Sequence, residues 1–401
     1  MIATTKYKII ERTDLAPFAS PKALSQTPIH RWFFFPHSFS HKLVDVLLTT
    51  WGLSKKDRIL DPFCGAGCII LQAKIKNISA VGIDILRLSV FVTQTKIRDY
   101  SKDKILQNWS NISSVECVET SLPIKDDALL RIFPEDTLRH LLGLKKCISM
   151  WPDGLKDLAT ISLLKMAKRY SKYKISGGWP RWKEPPNPHG LLEDFIKELM
   201  KIISDLPEDS VSCNSQWDAR IGDSRRLSED LGYFSAVITS PPYPNRHDYT
   251  RIFAPELLIG FMDSKKLKTL RRQTLVSHVE AITELDEALP EIIESHIQRV
   301  NENTKDKRIL PMLRGYFLDL RRTLQSLSKL LFKGAKVAFV VGNARYAGVT
   351  VPVDEFLMVL AEECGYSPIE IWVIRYRGNS AQQMKKFGKE RQRESIIIFE
   401  K

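Results

Sequence analysis

Four consecutive residues, Ser240-Pro241-Pro242-Tyr243, carry the clearest chemical signal in the chain. They follow the apolar run Ala236-Val237-Ile238, which is typical of a buried strand. Two prolines after a strand impose an extended exit without amide donors, so the carbonyl groups there stay free to accept hydrogen bonds. The Ser240 hydroxyl and the Pro241 carbonyl can accept both N–H groups of an exocyclic amine, while Tyr243 stacks on the base. The pattern therefore predicts chemistry at the amine nitrogen of a planar base.

A second motif, Asp61-Pro62-Phe63-Cys64-Gly65-Ala66-Gly67, lies far upstream between a predicted strand and a predicted helix. Ligands of open α/β sheets bind at such carboxyl ends of strands. Gly65 and Gly67 let the backbone approach a cofactor, because no Cβ stands in the way. We expect Asp61, Pro62, Phe63 and both glycines to bind the cofactor.

Two further strand ends and an aromatic segment complete the predicted cofactor site. Asp84 ends the second strand, where an acidic side chain can hold both ribose hydroxyls. Asp223 ends the third strand and is predicted to meet the adenine amine of the cofactor, and Ser224 beside it is also predicted to bind the cofactor. The segment with Phe35, Pro36 and Phe39 is predicted to cover the end of the cofactor that lies opposite its adenine, which is the methionine end of S-adenosylmethionine. The sequence contains neither GxxxxGK[ST] nor GxGxxG, which leaves S-adenosylmethionine as the favoured ligand.

The order of predicted elements indicates a doubly wound parallel sheet of the α/β class. Residues 56–97 alternate strand, helix, strand, helix, and the pattern then breaks over 101–215, which is predicted to be a mostly helical inserted domain. Strands resume at 217–222 and 234–239, and a helix is expected at 353–363. We predict two halves of one domain, 1–100 and 216–401, with a small helical insertion at 263–312 and two antiparallel strands at the end.

These motifs resemble those of the S-adenosylmethionine-dependent DNA amino-methyltransferases, and more narrowly the cytosine-N4-specific, TSPPY-type branch. The resemblance covers roughly 29–100 and 216–401 and includes Thr239, Glu256-Leu257 and the chain end through Arg393-Glu394-Ser395. It implies a class I, Rossmann-like methyltransferase fold with seven strands. It also implies methylation of the N4 amine of cytosine in duplex DNA with base flipping, and 101–215 as a candidate target-recognition domain. A cognate restriction endonuclease is a possible partner in a restriction-modification system.

Serine at the first loop position favours cytosine, but three alternatives remain open. They are an adenine-N6 DNA methyltransferase, an RNA amino-methyltransferase and a non-catalytic protein that binds S-adenosylmethionine or nucleic acid. Methylation of carbon 5 of cytosine needs an activated cysteine, and none lies in or beside the loop 240–243.

The net charge of +13 and a pI near 9.3 favour a polyanionic partner, and duplex DNA is the one that the resemblance implies. Three segments, 165–183, 265–272 and 375–393, are basic and nearly free of acids. Phosphate contacts from such segments give affinity, whereas contacts with base edges give specificity. The predicted substrate-binding residues are Asn245, Asp248, Tyr249, Lys172, Trp179, Arg181, Trp182 and Arg377.

The remaining composition bounds the setting of the protein. The six cysteines are scattered without a CxxC pair, so we predict neither disulfides nor a metal site. The N-terminus is not a signal peptide, and no stretch reaches the ~18 apolar residues of a membrane span. We therefore expect a cytoplasmic protein of undetermined oligomeric state.

Overall fold

The computed structural model describes residues 6–112, 126–176, 179–208, 215–378 and 381–401. The strands are β1 (Ile9–Glu11), β2 (Arg58–Asp61), β3 (Ser79–Asp84), β4 (Tyr173–Ser176), β5 (Trp179–Trp182), β6 (Trp217–Ile221), β7 (Phe234–Thr239), β8 (Leu331–Gly342), β9 (Ala344–Tyr346), β10 (Val349–Val351), β11 (Ser367–Arg377) and β12 (Gln392–Glu400). The helices are α1 (His41–Thr50), α2 (Cys68–Ile75), α3 (Arg87–Ile97), α4 (Lys102–Ser110), α5 (Asp127–Ile132), α6 (Glu135–Ser149), α7 (Leu155–Arg169), α8 (Leu191–Ser204), α9 (Tyr249–Ile252), α10 (Ala254–Gly260), α11 (Ser264–Gln273), α12 (Glu291–Asn303), α13 (Ile309–Ser328), α14 (Val353–Glu363) and α15 (Ala381–Phe387).

The main sheet has the strand order β1-β11-β12-β8-β7-β2-β3-β6. Strands β6, β3, β2, β7 and β8 run parallel, whereas β12 is antiparallel to both β8 and β11. This is the doubly wound, Rossmann-like class I methyltransferase sheet with its terminal antiparallel hairpin.

The predicted strand number was wrong by one, because the sheet has eight strands in the described chain rather than seven. The additional strand is β1, which pairs in parallel with β11 and places Ile9 opposite Ile371. Three residues with a single Ile-Ile pair are too short to show strand periodicity. The strand conformation of β1 is stabilised by its hydrogen bonds to the long strand β11, and not by its own sequence.

Both faces of the sheet are buried, which explains the continuous apolar runs in its central strands. Ile59 and Ile238 face a cluster that includes residues of α1 and α2. Leu60 and Val237 face the opposite cluster, which includes residues of α13 and α14. Successive side chains of a strand alternate between faces, so each strand contributes to both layers.

The region 101–215 contributes α4 to α8 and the hairpin of β4 and β5. Its helices form a third cluster with the aromatic segment at Trp32 and Phe33, with Val92 of α3 and with Leu257 of α10. Strand β5 packs against α9, the helix that begins directly after residues 240–248. The assignment of this region as a separate target-recognition domain stays a prediction.

The segment 263–312 contains α11 and α12, and α13 begins within it at Ile309, while its assignment as a small inserted unit stays a prediction. Across the described ranges, no helix has both the length and the apolar character needed to cross a bilayer. The carboxyl ends of β2, β3, β6 and β7 converge at one edge of the sheet, and the candidate site lies there.

Candidate functional site

An open cavity lies at this edge, with an empty volume of about 1010 Å³ including space open to solvent. It is lined by side chains from all four strand ends. Twelve of the residues predicted from sequence contribute to the lining: Phe35, Phe39, Asp61, Pro62, Phe63, Gly65, Asp84, Asp223, Ser224, Ser240, Pro242 and Tyr249. The structure therefore brings the motifs 61–67 and 240–243, which are far apart in the sequence, into one site.

Asp61 connects the two motifs directly. Its buried Oδ1 accepts a hydrogen bond from Thr239 Oγ1 at 2.7 Å, and Thr239 immediately precedes the loop 240–243. The same oxygen accepts from the backbone N–H of Phe63 at 3.1 Å. Burial raises the pKa of Asp61 to about 7, because it penalises the charged form. Asp61 therefore couples the ends of β2 and β7 as well as lining the cavity.

The two glycines of the first motif have different structural roles. Gly65 lines the cavity, has φ +51°, and donates its N–H to Asp84 Oδ2 at 2.9 Å. Gly67 lies outside the lining and adopts φ +74° at the start of α2. A Cβ on Gly67 would lie 2.7 Å from the Thr93 side chain on α3. Gly67 thus permits close packing of α2 on α3, whereas Gly65 borders the ligand space.

Asp84 is held in place by two backbone donors. Besides the bond from Gly65, its Oδ1 accepts from Leu86 N at 2.8 Å. Burial raises the pKa of Asp84 to about 6. A carboxylate has about four lone-pair positions, and these two backbone bonds occupy one on each oxygen. This geometry is compatible with the predicted ribose contact.

The aromatic segment closes the cavity from the side. Phe35 stacks on Phe253 of the α9–α10 junction, with ring centroids 4.3 Å apart. Phe39 lines the cavity, whereas Pro36 lies outside the lining. The segment is held by a residue that the sequence analysis missed, the buried Lys96 of α3.

Lys96 Nζ donates to three backbone carbonyls at 3.0–3.1 Å, those of His30, Phe33 and Ala66. Lys96 therefore connects the aromatic segment to the loop 61–67, which contains Ala66. Burial lowers the pKa of Lys96 to about 7. A lysine within an otherwise helical pattern gives no sequence signal of this role, because its three acceptors come from two distant segments.

Asp223 and Ser224 both line the cavity, but their side chains already have protein partners. Asp223 accepts from Arg225 Nη2 at 2.7 Å and from Arg225 N at 3.0 Å. Arg225 also donates to the buried Asp319 at 2.9 Å. Ser224 Oγ lies 3.4 Å from Thr323 Oγ1. The predicted contact of Asp223 with adenine therefore has to share a carboxylate that Arg225 holds.

Within the second motif, Ser240 and Pro242 line the cavity and Pro241 is buried behind it. Tyr243 takes a position that sequence reasoning did not anticipate. Its hydroxyl donates to Glu394 Oε1 at 3.1 Å, and its ring lies 3.0 Å from the position of a Cβ on Gly342. The ring thus lies outside the cavity lining, so its stacking on a base stays a prediction.

Glu394 is a buried carboxylate that links the catalytic loop to two arginines. Its Oε2 accepts a hydrogen bond from Arg375 Nε and lies 2.9 Å from Arg377 Nε in an ion pair. Arg377, predicted to bind substrate, therefore has one face of its guanidinium paired, while its side chain remains 49% exposed. In the sequence, Glu394 is recognisable only as part of the family pattern Arg393-Glu394-Ser395.

Tyr249 is the tyrosine that borders the cavity, and it meets the ring of His37 edge-on at 5.6 Å. Asp248 is buried and caps α9 through Thr250 N at 2.9 Å. It also pairs with Arg271 Nε at 2.8 Å. Asn245 is exposed and accepts from His247 N at 3.2 Å. Asp248 therefore holds the loop instead of facing the cavity.

Three of the residues predicted to contact DNA in the region 101–215, Lys172, Arg181 and Trp182, are not part of the cavity lining. Lys172 Nζ donates to the Leu130 carbonyl at 3.4 Å. Arg181 and Trp182 are exposed on β5, and Trp182 meets Tyr173 edge-on at 5.1 Å. The side chain of Trp179 lies outside the described residues.

Further lining residues carried no recognisable motif. His37 lies between the predicted Phe35 and Phe39, and burial lowers its pKa to about 4. Thr274, Leu275, Ser277 and His278 reach the cavity from the segment after α11. Tertiary contacts hold this segment at the cavity, among them the hydrogen bond that Arg246 N donates to the Ser277 carbonyl at 3.0 Å.

Two cysteines, Cys64 and Cys68, also line the cavity. Both are buried, and burial raises the pKa of Cys68 to about 12 and that of Cys64 well above its usual value. Both are therefore neutral thiols without nucleophilic activation. Among the described side chains, no group of three or more His, Cys, Asp or Glu is placed to hold a metal ion.

The lining fits S-adenosylmethionine. Aromatic rings at Phe35, Phe39 and Phe63 offer an apolar wall, Asp84 retains acceptor positions for hydroxyls, and Gly65 allows close approach of the ligand. Their position at a strand-end crevice of an open α/β sheet is the expected place for such a ligand.

Comparison with known proteins decides the family. The chain is 32% identical to the type II methyltransferase M.BsoBI of Geobacillus stearothermophilus, over 98% of this chain and 90% of that protein. The chain belongs to the type II methyltransferases. This type II methyltransferase is also 26% identical to M.AvaI of Anabaena variabilis, over 95% of this chain and 88% of that protein. It is an enzyme, and its family and fold imply a methyl donor such as S-adenosylmethionine.

Other likenesses are more limited. A segment of 73 residues, 18% of this chain and 22% of the matched protein, is 40% identical to a tRNA (guanine(10)-N2)-dimethyltransferase of Methanothermobacter thermautotrophicus. The crystal structure of TrmN from Thermus thermophilus aligns with 90% of this chain and 49% of that chain, at a TM-score of 0.33 and 10% identity, a likeness that carries no argument. No protein-family model matches the chain.

Proposed function

We propose that this type II methyltransferase methylates the exocyclic N4 amine of cytosine in duplex DNA, with the target base flipped out of the helix. The observation that carries the proposal is that Ser240 and Pro242 line the same cavity as Gly65 and Asp84. One predicted acceptor for the amine, Ser240, therefore borders the same space as two predicted holders of the methyl donor.

S-adenosylmethionine, when bound, would supply a methyl group from a positively charged sulfur that would leave as a neutral thioether, and the methylated nitrogen would release one of its protons to water. The chain's own residues orient the amine. Ser240 Oγ and the carbonyl of the following proline accept its two N–H groups, which favours a pyramidal nitrogen with an available lone pair. Such positioning can lower a barrier by ~7–11 kcal/mol without a covalent intermediate.

The state of the cysteines supports an amine as the target instead of a ring carbon. Carbon-5 methylation requires a thiolate nucleophile, whereas Cys64 and Cys68 are neutral thiols at the cavity wall. The short match to a protein named as a tRNA (guanine(10)-N2)-dimethyltransferase also supports chemistry at an exocyclic amine.

Flipping follows from the position of Ser240 on the cavity lining. A base within a duplex cannot enter such a cavity, so it must leave the stack. Tyr249 and Phe35 offer aromatic surface at the cavity wall. Type II relatives support duplex DNA as the substrate, and a cognate restriction endonuclease is part of the same proposal.

The test is mass spectrometry of nucleosides from unmethylated genomic DNA that has been incubated with the protein and S-adenosylmethionine. We expect N4-methylcytosine from the wild type and from Ser295→Ala, which removes an exposed hydroxyl on α12, but not from Ser240→Ala. N6-methyladenine would overturn the choice of base and retain the amine chemistry. 5-Methylcytosine, methylation of RNA alone, or measured donor binding without any methylated nucleoside would overturn the proposal.

A further inference from the structure

The structure separates the three basic segments that the sequence left equivalent. In 165–183, three of the seven cations are paired with acids within the protein, whereas Lys174 and Arg181 are exposed on the hairpin of β4 and β5. Lys168 lies 3.4 Å from the buried Glu256, and Arg169 lies 2.9 Å from Asp194. Lys165 pairs with Glu198. Charges neutralised in this way contribute little to a polyanion-binding surface.

In 375–393, the arginines on the strands are paired as well. Arg375 and Arg377 share Glu394, and Arg393 lies 3.0 Å from Asp354. Apart from the paired Arg377, the exposed cations described in this segment lie on α15 and the residues after it, namely Lys385, Lys386, Lys389 and Arg391.

Helix α11, from the third segment, has a different arrangement. Its inner face is anchored by the buried Leu267 and by Arg271, which pairs with Asp248 at 2.8 Å. Its outer face carries Lys265, Lys268 and Arg272, all exposed and without an acidic partner among the described residues. These three residues are spaced by three and four positions, so they form one row along the helix.

This row is unfavourable for the isolated helix. Like charges three or four residues apart destabilise a helix by ~0.2–0.5 kcal/mol per pair, and cations near the N-terminus oppose the helix dipole. Lys265 lies in the first turn, and the helix contains no acidic residue. A polyanion bound along the row would remove this repulsion.

The row also lies beside the candidate site. The segment after α11, from Thr274 to His278, lines the cavity. A separate surface groove is lined by Ile85, Arg87, Lys265 and Lys266, and Ile85 also lines the cavity. Arg87 is exposed at the start of α3, which adds another cation to the groove. The groove therefore leads from the outer row of α11 to the cavity.

We propose that α11 binds the phosphate backbone of duplex DNA next to the flipped nucleotide, through Lys265, Lys268 and Arg272. This inference rests on the proposed function, because it names how that substrate is held. The contacts are electrostatic and independent of base sequence, so α11 supplies affinity and position and leaves base reading to other residues.

The test is the salt dependence of binding to unmethylated duplex DNA, measured by fluorescence anisotropy between 50 and 300 mM NaCl. Each lost phosphate contact reduces the slope of log K against log salt by about 0.9. We expect K265Q/K268Q/R272Q to reduce the slope by about 2–3. A matched control, K55Q/K56Q/K333Q, removes three exposed lysines near the opposite edge of the sheet and should keep the wild-type slope.

Three outcomes would overturn the inference. The first is a wild-type slope for the α11 variant, and the second is an equal loss in the control variant. The third is a loss confined to K385Q/K386Q/K389Q, which would assign the phosphate contacts to α15. Unchanged donor affinity and thermal melting of the α11 variant would show that it is folded. A wild-type protein that binds no duplex DNA would instead overturn the proposed function.

Discussion

The pKa of Asp84 predicts how binding of the methyl donor depends on pH. Its carboxylate is expected to accept hydrogen bonds from the ribose hydroxyls, and burial raises its pKa to about 6. Protonation replaces a charged acceptor with a neutral acid, and hydrogen bonds to charged groups are worth ~1.5–3 kcal/mol against ~0.5–1.5 for neutral ones. Affinity for S-adenosylmethionine should therefore fall as the pH drops through 6.

The magnitude follows from linkage. If the protonated form binds weakly, each pH unit below the pKa raises Kd by about tenfold, or ~1.4 kcal/mol. We expect Kd at pH 5 to be about ten times that at pH 8. Acid unfolding caused by Asp84 does not explain this loss. Because folding raises the pKa of Asp84, its contribution to the free energy of unfolding falls as the pH rises from about 4 to 6, so this residue favours the folded state more at pH 5 than at pH 8.

Isothermal titration calorimetry from pH 5 to pH 8 measures this effect. The control must separate Asp84 from Asp61, because burial raises the pKa of Asp61 to about 7 in the same cavity. Asp84→Asn should bind more weakly at pH 8 and lose most of the pH dependence, whereas Asp61→Asn should keep the slope below pH 6. A wild-type Kd that is constant within twofold, or a full slope in Asp84→Asn, would refute the reasoning.

Three further substitutions test the supports of the site. Gly67→Ala places a Cβ 2.7 Å from the Thr93 side chain at φ +74° and should lower the free energy of unfolding by ~1–3 kcal/mol in urea titration, with partial recovery in Gly67→Ala/Thr93→Ala. Lys96→Met leaves three carbonyls without a hydrogen-bond donor, so it should lower the free energy of unfolding by ~2–4 kcal/mol and weaken binding of the methyl donor. A free energy of unfolding within ~0.5 kcal/mol of wild type would contradict this role of Lys96. Tyr243→Phe removes the hydroxyl that donates to Glu394 and should lower kcat while the donor Kd stays constant, and an unchanged kcat would show that the tyrosine needs no such anchor.

Local pattern was sufficient for many elements of the fold. Strand β7 and helix α14 have the bounds expected from their apolar runs, 234–239 and 353–363. The cofactor loop lies between β2 and α2, as its glycines and flanking patterns indicate. These features depend on residues close together in the chain, where periodicity and backbone preferences act directly.

The convergence of the two motifs was also predictable in outline. Carboxyl ends of parallel strands meet at one edge of a doubly wound sheet, so strand-end residues such as Asp61, Asp84 and Ser240 share a crevice. The family resemblance and the identity to M.BsoBI lead to the same class of enzyme. The choice of cytosine over adenine stays a prediction, because the base is selected by side-chain positions around a ligand.

The sequence by itself determined the class of sheet, the two motifs and the kind of chemistry they can support. Only the tertiary structure decided that β1 adds an eighth strand, that Tyr243 is anchored by Glu394, 151 residues away in the chain, and that α11 keeps its outer cations unpaired. The physical reason is that side-chain pairing depends on partners brought together by folding. Charge and aromatic content can be counted along a chain, but whether a given group is neutralised, buried or free for a ligand depends on distant segments that local pattern does not specify.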